Sequence, residues 1–502
     1  MKAAWHAASH QSQRTQRIAR NVVFLSGAQV LSTILGIALA SALGRTLGPA
    51  DFGVYYIIVT IMSFASVIVD WGQSNLVVRE IATGRDDEAH FLGSAALIRT
   101  AGVFLTAVAS LALTLTAGYP ALIVWLTPLA LLFTLPAVHA QLMLHFFRGR
   151  DRMDLDAVSG LIMKSVAVCA TVLALYKGGG VAAAVLMPAL GGLAGLAFAL
   201  AMARRLDLTI AVPVAGTVRE TISAGSALVV MSLSITLQPF LDVMLVSILT
   251  NSTVVGWLGA ARTILGLFLT PAAILATASF PDMCRVAHSP MDLSNLLSAS
   301  SRLLLAVAAL GFCGVYSFAD VAVTIIYSKS HFDPAATLLT VFAPFFPLFF
   351  FNFLIGNAAL ALGKNIEIAV AKFAVVALST AMGWFLVTYF QSSIGNGAMG
   401  ITVSFCAVEI LMTLVYIAIL PRGVLGLPIW GHLLRAYVAA AAVLVPAAYI
   451  VPIVAIWISV PFVVIAFLIA ALTLGLVKVE DFRALAELIS SGRAQSTARV
   501  DL

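Results

Sequence analysis

The chain has 502 residues, 61% of them hydrophobic and only 10% charged, with a mean hydropathy of +1.05. A soluble domain carries about 25% charged residues to keep its surface wet, so this composition excludes a cytosolic enzyme and turns most of the surface toward lipid. Runs such as 34–43 and 438–445 are continuously apolar rather than alternating, which excludes an outer-membrane barrel, and 36 glycines and 18 prolines exclude a simple coiled coil.

A helix needs about 20 mainly apolar residues to cross the roughly 30 Å hydrocarbon core. Fourteen segments qualify. In the first half they are 21–43, 54–76, 96–117, 121–145, 158–176 and 181–203. The second half supplies 225–249, 253–278, 299–320, 337–362, 366–389 and 397–420, and 436–456 and 459–477 close the set. The predicted fold is an all-α polytopic membrane protein of about 14 transmembrane helices. Two six-helix lobes of like orientation surround a central cavity, with two further C-terminal helices. The division is a cytoplasmic tail 1–20, an N-lobe 21–203, a cytoplasmic linker 204–224, a C-lobe 225–420, the last two spans in 421–477 and a cytoplasmic tail 478–502.

Lysine and arginine are retained on the cytoplasmic side of short loops. Twenty of the 28 basic residues fall in the termini and every second connection, against three (Arg45, Lys177 and Lys329) in the alternate connections. This places both termini in the cytoplasm. Ala40-Ser41-Ala42 has the look of a signal cleavage site, but the first apolar stretch exceeds the usual h-region of about 7–15 residues, so a retained first span is expected. Phe482, Leu485 and Ile489 share one face of an expected surface helix in the C-terminal tail. The four cysteines show no CxxC or metal-ligand spacing and are expected to be buried structural thiols.

A weak internal repeat accompanies the linker. Gly53-Val54-Tyr55 and Gly256-Trp257-Leu258 are 203 residues apart, as are Arg99 and Arg302, while Gly149-Arg150 and Gly363-Lys364 are 214 apart. No phosphate-binding loop occurs, since Gly363-Lys364 lacks its upstream glycine and is followed by Asn365. Nor is there an HExxH, a GxSxG or a paired-carboxylate loop on the extracytoplasmic side, so the chain is not expected to be an enzyme. The acid-rich loop Arg148-Gly149-Arg150-Asp151-Arg152-Met153-Asp154-Leu155-Asp156 is read as a cytoplasmic gate or topological anchor. His139 and His145 are six apart, on different helix faces, so no metal is expected.

Ionisable residues inside spans carry more information, because exposure to lipid is costly. Asp70, Asp242, Arg262 and Glu409 lie well within spans, and Lys164 and Lys372 lie about two turns inside theirs. Long lysine stems can snorkel to the interface, Asp70 can cap a helix break before Gly72, and Asp242 and Arg262 can form a structural ion pair. The sharper expectation is a cavity in which Arg262, Lys164 and Lys372 attract an anionic group, phosphate above all. Arg45, in the first extracytoplasmic turn, joins this substrate-binding set. Asp70, Asp242 and Glu409 balance the charge or bind a coupling cation. Pro128, Pro136, Pro239, Pro271, Pro344 and Pro347 supply kinks.

Leu43-Gly44-Arg45-Thr46-Leu47-Gly48-Pro49-Ala50-Asp51-Phe52-Gly53-Val54-Tyr55 resembles the first periplasmic turn of bacterial oligosaccharide flippases. So do Asp70-Trp71-Gly72 leading to Val78-Arg79-Glu80-Ile81-Ala82, and Phe147-Arg148-Gly149-Arg150-Asp151-Arg152-Met153. These flippases belong to the multidrug/oligosaccharidyl-lipid/polysaccharide exporter superfamily, and the similarity is strongest over residues 20–155. The resemblance implies alternating access in the bacterial inner membrane. Its cargo would be an undecaprenyl-pyrophosphate-linked oligosaccharide repeat unit, moved from the cytoplasmic to the periplasmic leaflet for polysaccharide biosynthesis. Cationic residues of the eighth and eleventh spans matter in such flippases, which corresponds to Arg262 and Lys372. No cofactor is implied beyond coupling to an H+ or Na+ gradient, and the partners implied are membrane lipids and a polysaccharide polymerase or export machinery, with no nucleic acid. The alternatives are a multidrug exporter of the same superfamily, a membrane-embedded glycan polymerase or ligase, and a scaffold for polysaccharide assembly.

Overall fold

The computed structural model describes residues 2–206, 208–328, 331–451, 453–478 and 480. The described residues are helical, without strands. In chain order the helices are α1 (Lys2–Asp70), α2 (Gln73–Ala82), α3 (Glu88–Thr116), α4 (Ala121–Phe133), α5 (Leu135–Gly149) and α6 (Met153–Tyr176). Next come α7 (Gly180–Leu186), α8 (Pro188–Arg205), α9 (Ala215–Leu249), α10 (Ser252–Val286), α11 (Pro290–Tyr327) and α12 (Asp333–Phe342). The series ends with α13 (Phe346–Ala361), α14 (Asn365–Ile394), α15 (Ala398–Ile419), α16 (Leu427–Ile450) and α17 (Ile456–Thr473).

Thirteen helical stretches among the described residues are long and apolar enough to cross a membrane. The first of them, Gln29–Ala82, has 54 residues. At 1.5 Å per residue it is more than twice the length one crossing needs. Its backbone leaves the helical region at Gly48 (φ 68°, ψ 174°), immediately before Pro49. Pro49 has no N–H for a helical bond and glycine tolerates the positive φ, so the pair bends a continuous helix into two arms. Counting the arms separately gives the fourteen crossings expected from the sequence. The expected loop at 44–53 is therefore a kink within helix. A second break at Trp71 (φ 46°) and Gly72 (φ 72°) separates α1 from α2.

The last two spans also differ from expectation. Pro428 stands in the first turn of α16, where its missing N–H costs nothing, and the helix starts at Leu427 and ends at Ile450. Ala455 is extended (φ −56°, ψ 144°) and begins α17, so the turn precedes the expected 457–458 by several residues. The C-terminal surface helix expected around Phe482–Ile489 lies outside the described residues.

The chain divides into two compact units. The first comprises Met1–Ala260, Thr324–Phe332 and Thr380–Ala398; the second comprises Ala261–Val323, Asp333–Ser379 and Met399–Leu502. In unit 1, α2, α3, α5 and α8 share a core of Leu76, Val77, Phe91, Leu92, Phe146 and Phe147. Helices in lipid associate through close backbone approach rather than through expulsion of water. Accordingly α8 presents Gly191 and Gly195 to Met163 and Ala167 of α6, and Gly192 to Ala137 of α5. Unit 2 packs through aromatic rings: Phe405 meets Phe342 edge-on at 5.5 Å and Phe349 at 6.0 Å, and Phe351 meets Trp430 at 5.4 Å. Large apolar side chains stay on the outside, such as Val108 at 68% exposure and Phe385 at 74%, a surface suited to hydrocarbon. Cys313 and Cys406 are buried, but Cys169 and Cys284 are exposed, contrary to the expectation for all four. A small apolar thiol facing lipid carries little penalty, so burial is not required of it.

Candidate functional site

Asp70 ends α1, and its carboxylate reaches across the break to α2, accepting from Ser74 Oγ at 2.7 Å and Ser74 N–H at 3.2 Å. The expected capping role is therefore present, but a partner from α3 is added. Arg99 is almost fully buried at 1% exposure, with Nη2 2.5 Å from Asp70 Oδ1, Nε donating to Gln73 Oε1 at 2.9 Å and Nη1 to the Val138 carbonyl at 3.1 Å. One guanidinium thus ties α1, α2, α3 and α5 together, and its fork geometry suits several acceptors at once. His139 Nε2 lies 3.1 Å from Thr100 Oγ1, while Gln73 Nε2 and His145 Nδ1 have no partner. Asp242 is buried in α9 of the same unit. Lys164, half-buried on α6, donates to Ser32 Oγ at 2.6 Å, and Gly36 leaves space beside its ammonium. Arg45 is exposed and donates from Nη2 to the Ile325 carbonyl at 2.5 Å and from Nε to Ile326 at 3.4 Å, the last turn of α11.

Unit 2 holds Arg262, Lys372 and Glu409. Arg262 is half-buried on α10, and Lys372 is half-buried on α14. Glu409 on α15 is fixed by Asn352 of α13, whose Nδ2 donates to Glu409 Oε2 at 2.8 Å and to its carbonyl at 2.9 Å. Thr413 Oγ1 donates to Asn352 Oδ1 at 2.9 Å. The amide therefore uses both of its polar ends on neighbouring α15. Of the expected residues, Asp70, Lys164, Asp242 and Arg45 belong to unit 1, while Arg262, Lys372 and Glu409 belong to unit 2.

Arg99, Gln73, Asn352 and Thr413 are the residues the sequence reading did not place in the site. Two signals were present. Arg99 stands near the start of an otherwise apolar span, and Asn352 interrupts Phe349-Phe350-Phe351-Asn352-Phe353. A polar group in such a run needs a partner on another helix.

At one end of unit 1 the loop arginines are paired. Arg85 contacts Asp87 and reaches Glu220 at 2.8 Å, Arg148 reaches Asp156 at 2.6 Å, Arg150 reaches Glu88 at 2.6 Å, and Arg152 reaches Asp154 at 2.9 Å. Hydrogen bonds from the Arg85 guanidinium hold the Asp87 carboxyl below the usual carboxylate range. Gly149 packs tightly on Ile81 and the Val78 carbonyl, so the acid-rich loop is stapled to α2 and α3 by both packing and charge. Among the described residues no cluster of His, Cys, Asp and Glu is arranged to hold a metal ion.

Among the described residues the fold is all-helical, with thirteen membrane-length stretches and charged networks inside them. Solved structures of known transporters share this fold, three of them as follows. The lipid II flippase MurJ in an inward closed conformation superposes with a TM-score of 0.67 at 13% identity, over 90% of this chain and 98% of that one. An inward-facing multidrug resistance MATE family transporter of the MOP superfamily superposes at 0.59 and 13% identity, over 80% and 98%. A MOP superfamily transporter from Pyrococcus furiosus Vc1, described as having a binding pocket of reverse polarity, gives 0.55 and 14% identity, over 85% and 96%. A comparison with curated proteins finds no match. Residues 18–287, more than half of the chain, match the family described as polysaccharide biosynthesis protein. The chain belongs to that family.

Proposed function

We propose that this protein is a flippase that moves undecaprenyl-pyrophosphate-linked oligosaccharide repeat units from the cytoplasmic to the periplasmic leaflet by alternating access. The observation that carries this reading is the match of residues 18–287 to the polysaccharide biosynthesis family. The likeness of fold to a protein named as a lipid II flippase supports it. So does the chemistry: a pyrophosphate needs fixed positive charge, which Arg262, Lys372 and Lys164 supply within otherwise apolar helices. The polyprenyl tail can stay in lipid. In this reading the N-lobe spans 21–203, the linker 204–224 and the C-lobe 225–420, both termini are cytoplasmic, and the membrane is the bacterial inner membrane. An H+ or Na+ gradient drives the cycle through Asp70, Asp242 or Glu409, and a polysaccharide polymerase consumes the product.

The test is reconstitution in liposomes with lipid-linked sugars, measuring leaflet transfer with and without ion gradients. Arg262→Ala is expected to abolish transfer while membrane insertion is unchanged; normal transfer by that variant overturns the role given to Arg262. Arg262→Lys retains part of the activity if charge alone matters, and none if the forked hydrogen bonds do. A second reading, an ion-coupled multidrug exporter, draws on the likeness to a MATE transporter and on the carboxylate that Asn352 holds inside unit 2. Transport of organic cations together with failure of every glycolipid would select it.

A further inference from the structure

A crevice of about 480 Å3 opens on unit 1 between α3 and the start of α9, lined by Leu97, Pro213, Ala215, Val218, Arg219 and Ile222. Its walls are anchored. The segment leading into α9 is docked on α3: Ala211 N–H donates to the Ala89 carbonyl at 3.0 Å, and His90 Nδ1 lies 2.9 Å from the Val212 carbonyl. Gly93 leaves the room that the Ala211 carbonyl occupies. On the other side, Trp71 Nε1 donates to the Ile222 carbonyl at 3.0 Å.

The lining is apolar except for Arg219. Leu97 and Ile222 are exposed, and Leu97 continues along one face of α3 into exposed Phe104 and Val108, at i+7 and i+11. The crevice therefore opens beside an exposed apolar face of α3. At that end Arg79, Arg85, Arg148, Arg150 and Arg152 are each paired with a carboxylate, whereas exposed Arg219 has no ion-pair partner among the described residues. Its neighbour Glu220 is held from both oxygens by Arg85, at 2.9 and 2.8 Å. A guanidinium with no ion pair among the described residues thus stands in an otherwise apolar crevice beside the exposed apolar face of α3.

We propose that this crevice binds an anionic phospholipid, its phosphate on Arg219 and one acyl chain along Leu97, Val218 and Ile222. A free phosphate would leave the apolar walls uncovered, and a peptide would find only the Arg219 side chain there for its backbone groups. A zwitterionic lipid would gain less from Arg219 than an anionic one. The bound lipid braces the first turns of α9, whose Ile222 carbonyl holds Trp71 at the α1–α2 break, so occupancy steadies that break. The site is separate from the cargo reading above and stands whether or not the protein moves glycolipids.

The experiment uses full-length protein in phosphatidylcholine nanodiscs doped with photoactivatable phosphatidylglycerol, with cross-links mapped by peptide mass. Labelling is expected within 213–222 or at Leu97, and is expected to fall about fivefold in Arg219→Gln, the factor of one lost arginine–anion contact. Val218→Trp, which fills the crevice and keeps the charge, is expected to lower it as well. Millimolar inorganic phosphate is expected not to compete. Arg219→Gln at the wild-type labelling level, equal labelling by photoactivatable phosphatidylcholine (ordinary annular contact), or full competition by phosphate would each overturn the proposal. Arg219 is exposed, so its variant keeps the wild-type melting temperature and the comparison remains decisive.

Discussion

Removing the Arg99 guanidinium while leaving Asp70 in place strands a carboxylate among α1, α2, α3 and α5. Breaking one side of a fully buried pair costs about 3–5 kcal/mol. Asp70 is 29% exposed, which reduces the expected loss for Arg99→Met to about 2–4 kcal/mol. Adding Asp70→Asn to that variant is expected to recover part of the loss, because the stranded charge is then gone. Thermal unfolding of both variants in detergent checks this; a double variant no more stable than Arg99→Met would remove the ion pair from the explanation. A second residue-scale prediction concerns acid. Asp87 has a lowered folded-state pKa, so the stability it contributes is fully present above the ordinary carboxylate value near 3.9 and is lost as pH falls through the folded value. Asp87→Asn is therefore expected to melt slightly below wild type at pH 7, with the gap closing below about pH 4. A gap that widened in acid would contradict the assignment. Neither network was fully legible in the sequence. The in-span charges announced themselves by composition, but which helix answers Asp70 or Glu409 depends on packing between segments 29 and 57 residues away.

Helix crossings set the next scale, and the tightest one involves two glycines that the sequence repeat had already paired. A side chain on Gly53 would run into the Ser252 carbonyl and the Gly256 backbone nitrogen, and one on Gly256 into the Pro49 carbonyl. The obstacles are backbone atoms, which cannot rotate aside as a side chain could. Gly53→Ala is thus expected to push the second arm of α1 away from the start of α10 and to cost about 1–3 kcal/mol, the usual price of overpacking. A cysteine placed at Ser252, with the native cysteines replaced, should react faster with a thiol reagent in the Gly53→Ala background. Unchanged reactivity and melting would show that the crossing yields freely. The offset of 203 residues was visible in the sequence; that its two glycines meet was not, because a repeat specifies likeness and not contact. The positions of most spans before α16 were legible from hydropathy. The kink at Gly48 and the early start of α16 were not, since both depend on how proline and glycine direct a helix that hydropathy sees as continuous or absent.

For the whole molecule, everything about sidedness turns on the parity of the crossings, and parity turns on Gly48. Read as a single span, Gln29–Ala82 would make thirteen crossings and put the two termini on opposite faces of the membrane. Every connection after α2 would then exchange sides, and the arginines at 85, 148, 150, 152 and 219 would face away from the N-terminus. Read as two arms bent at Gly48, the same helix gives fourteen crossings. Those arginines then share a side with both termini, as retention of basic loops in the cytoplasm requires. The ion pairs Arg150–Glu88 and Arg85–Glu220 bind the ends of α3, α5 and α9 into one charged rim, which lies on a single aqueous face in either reading. Single cysteines at Asp151 and at Pro120, in an otherwise cysteine-free chain, separate the alternatives. In intact cells a membrane-impermeant thiol reagent is expected to label position 120 and to spare position 151 until the cells are opened. Labelling of position 151 from outside would mean that α1 crosses once, and the assignment of both termini to the cytoplasm would fall with it.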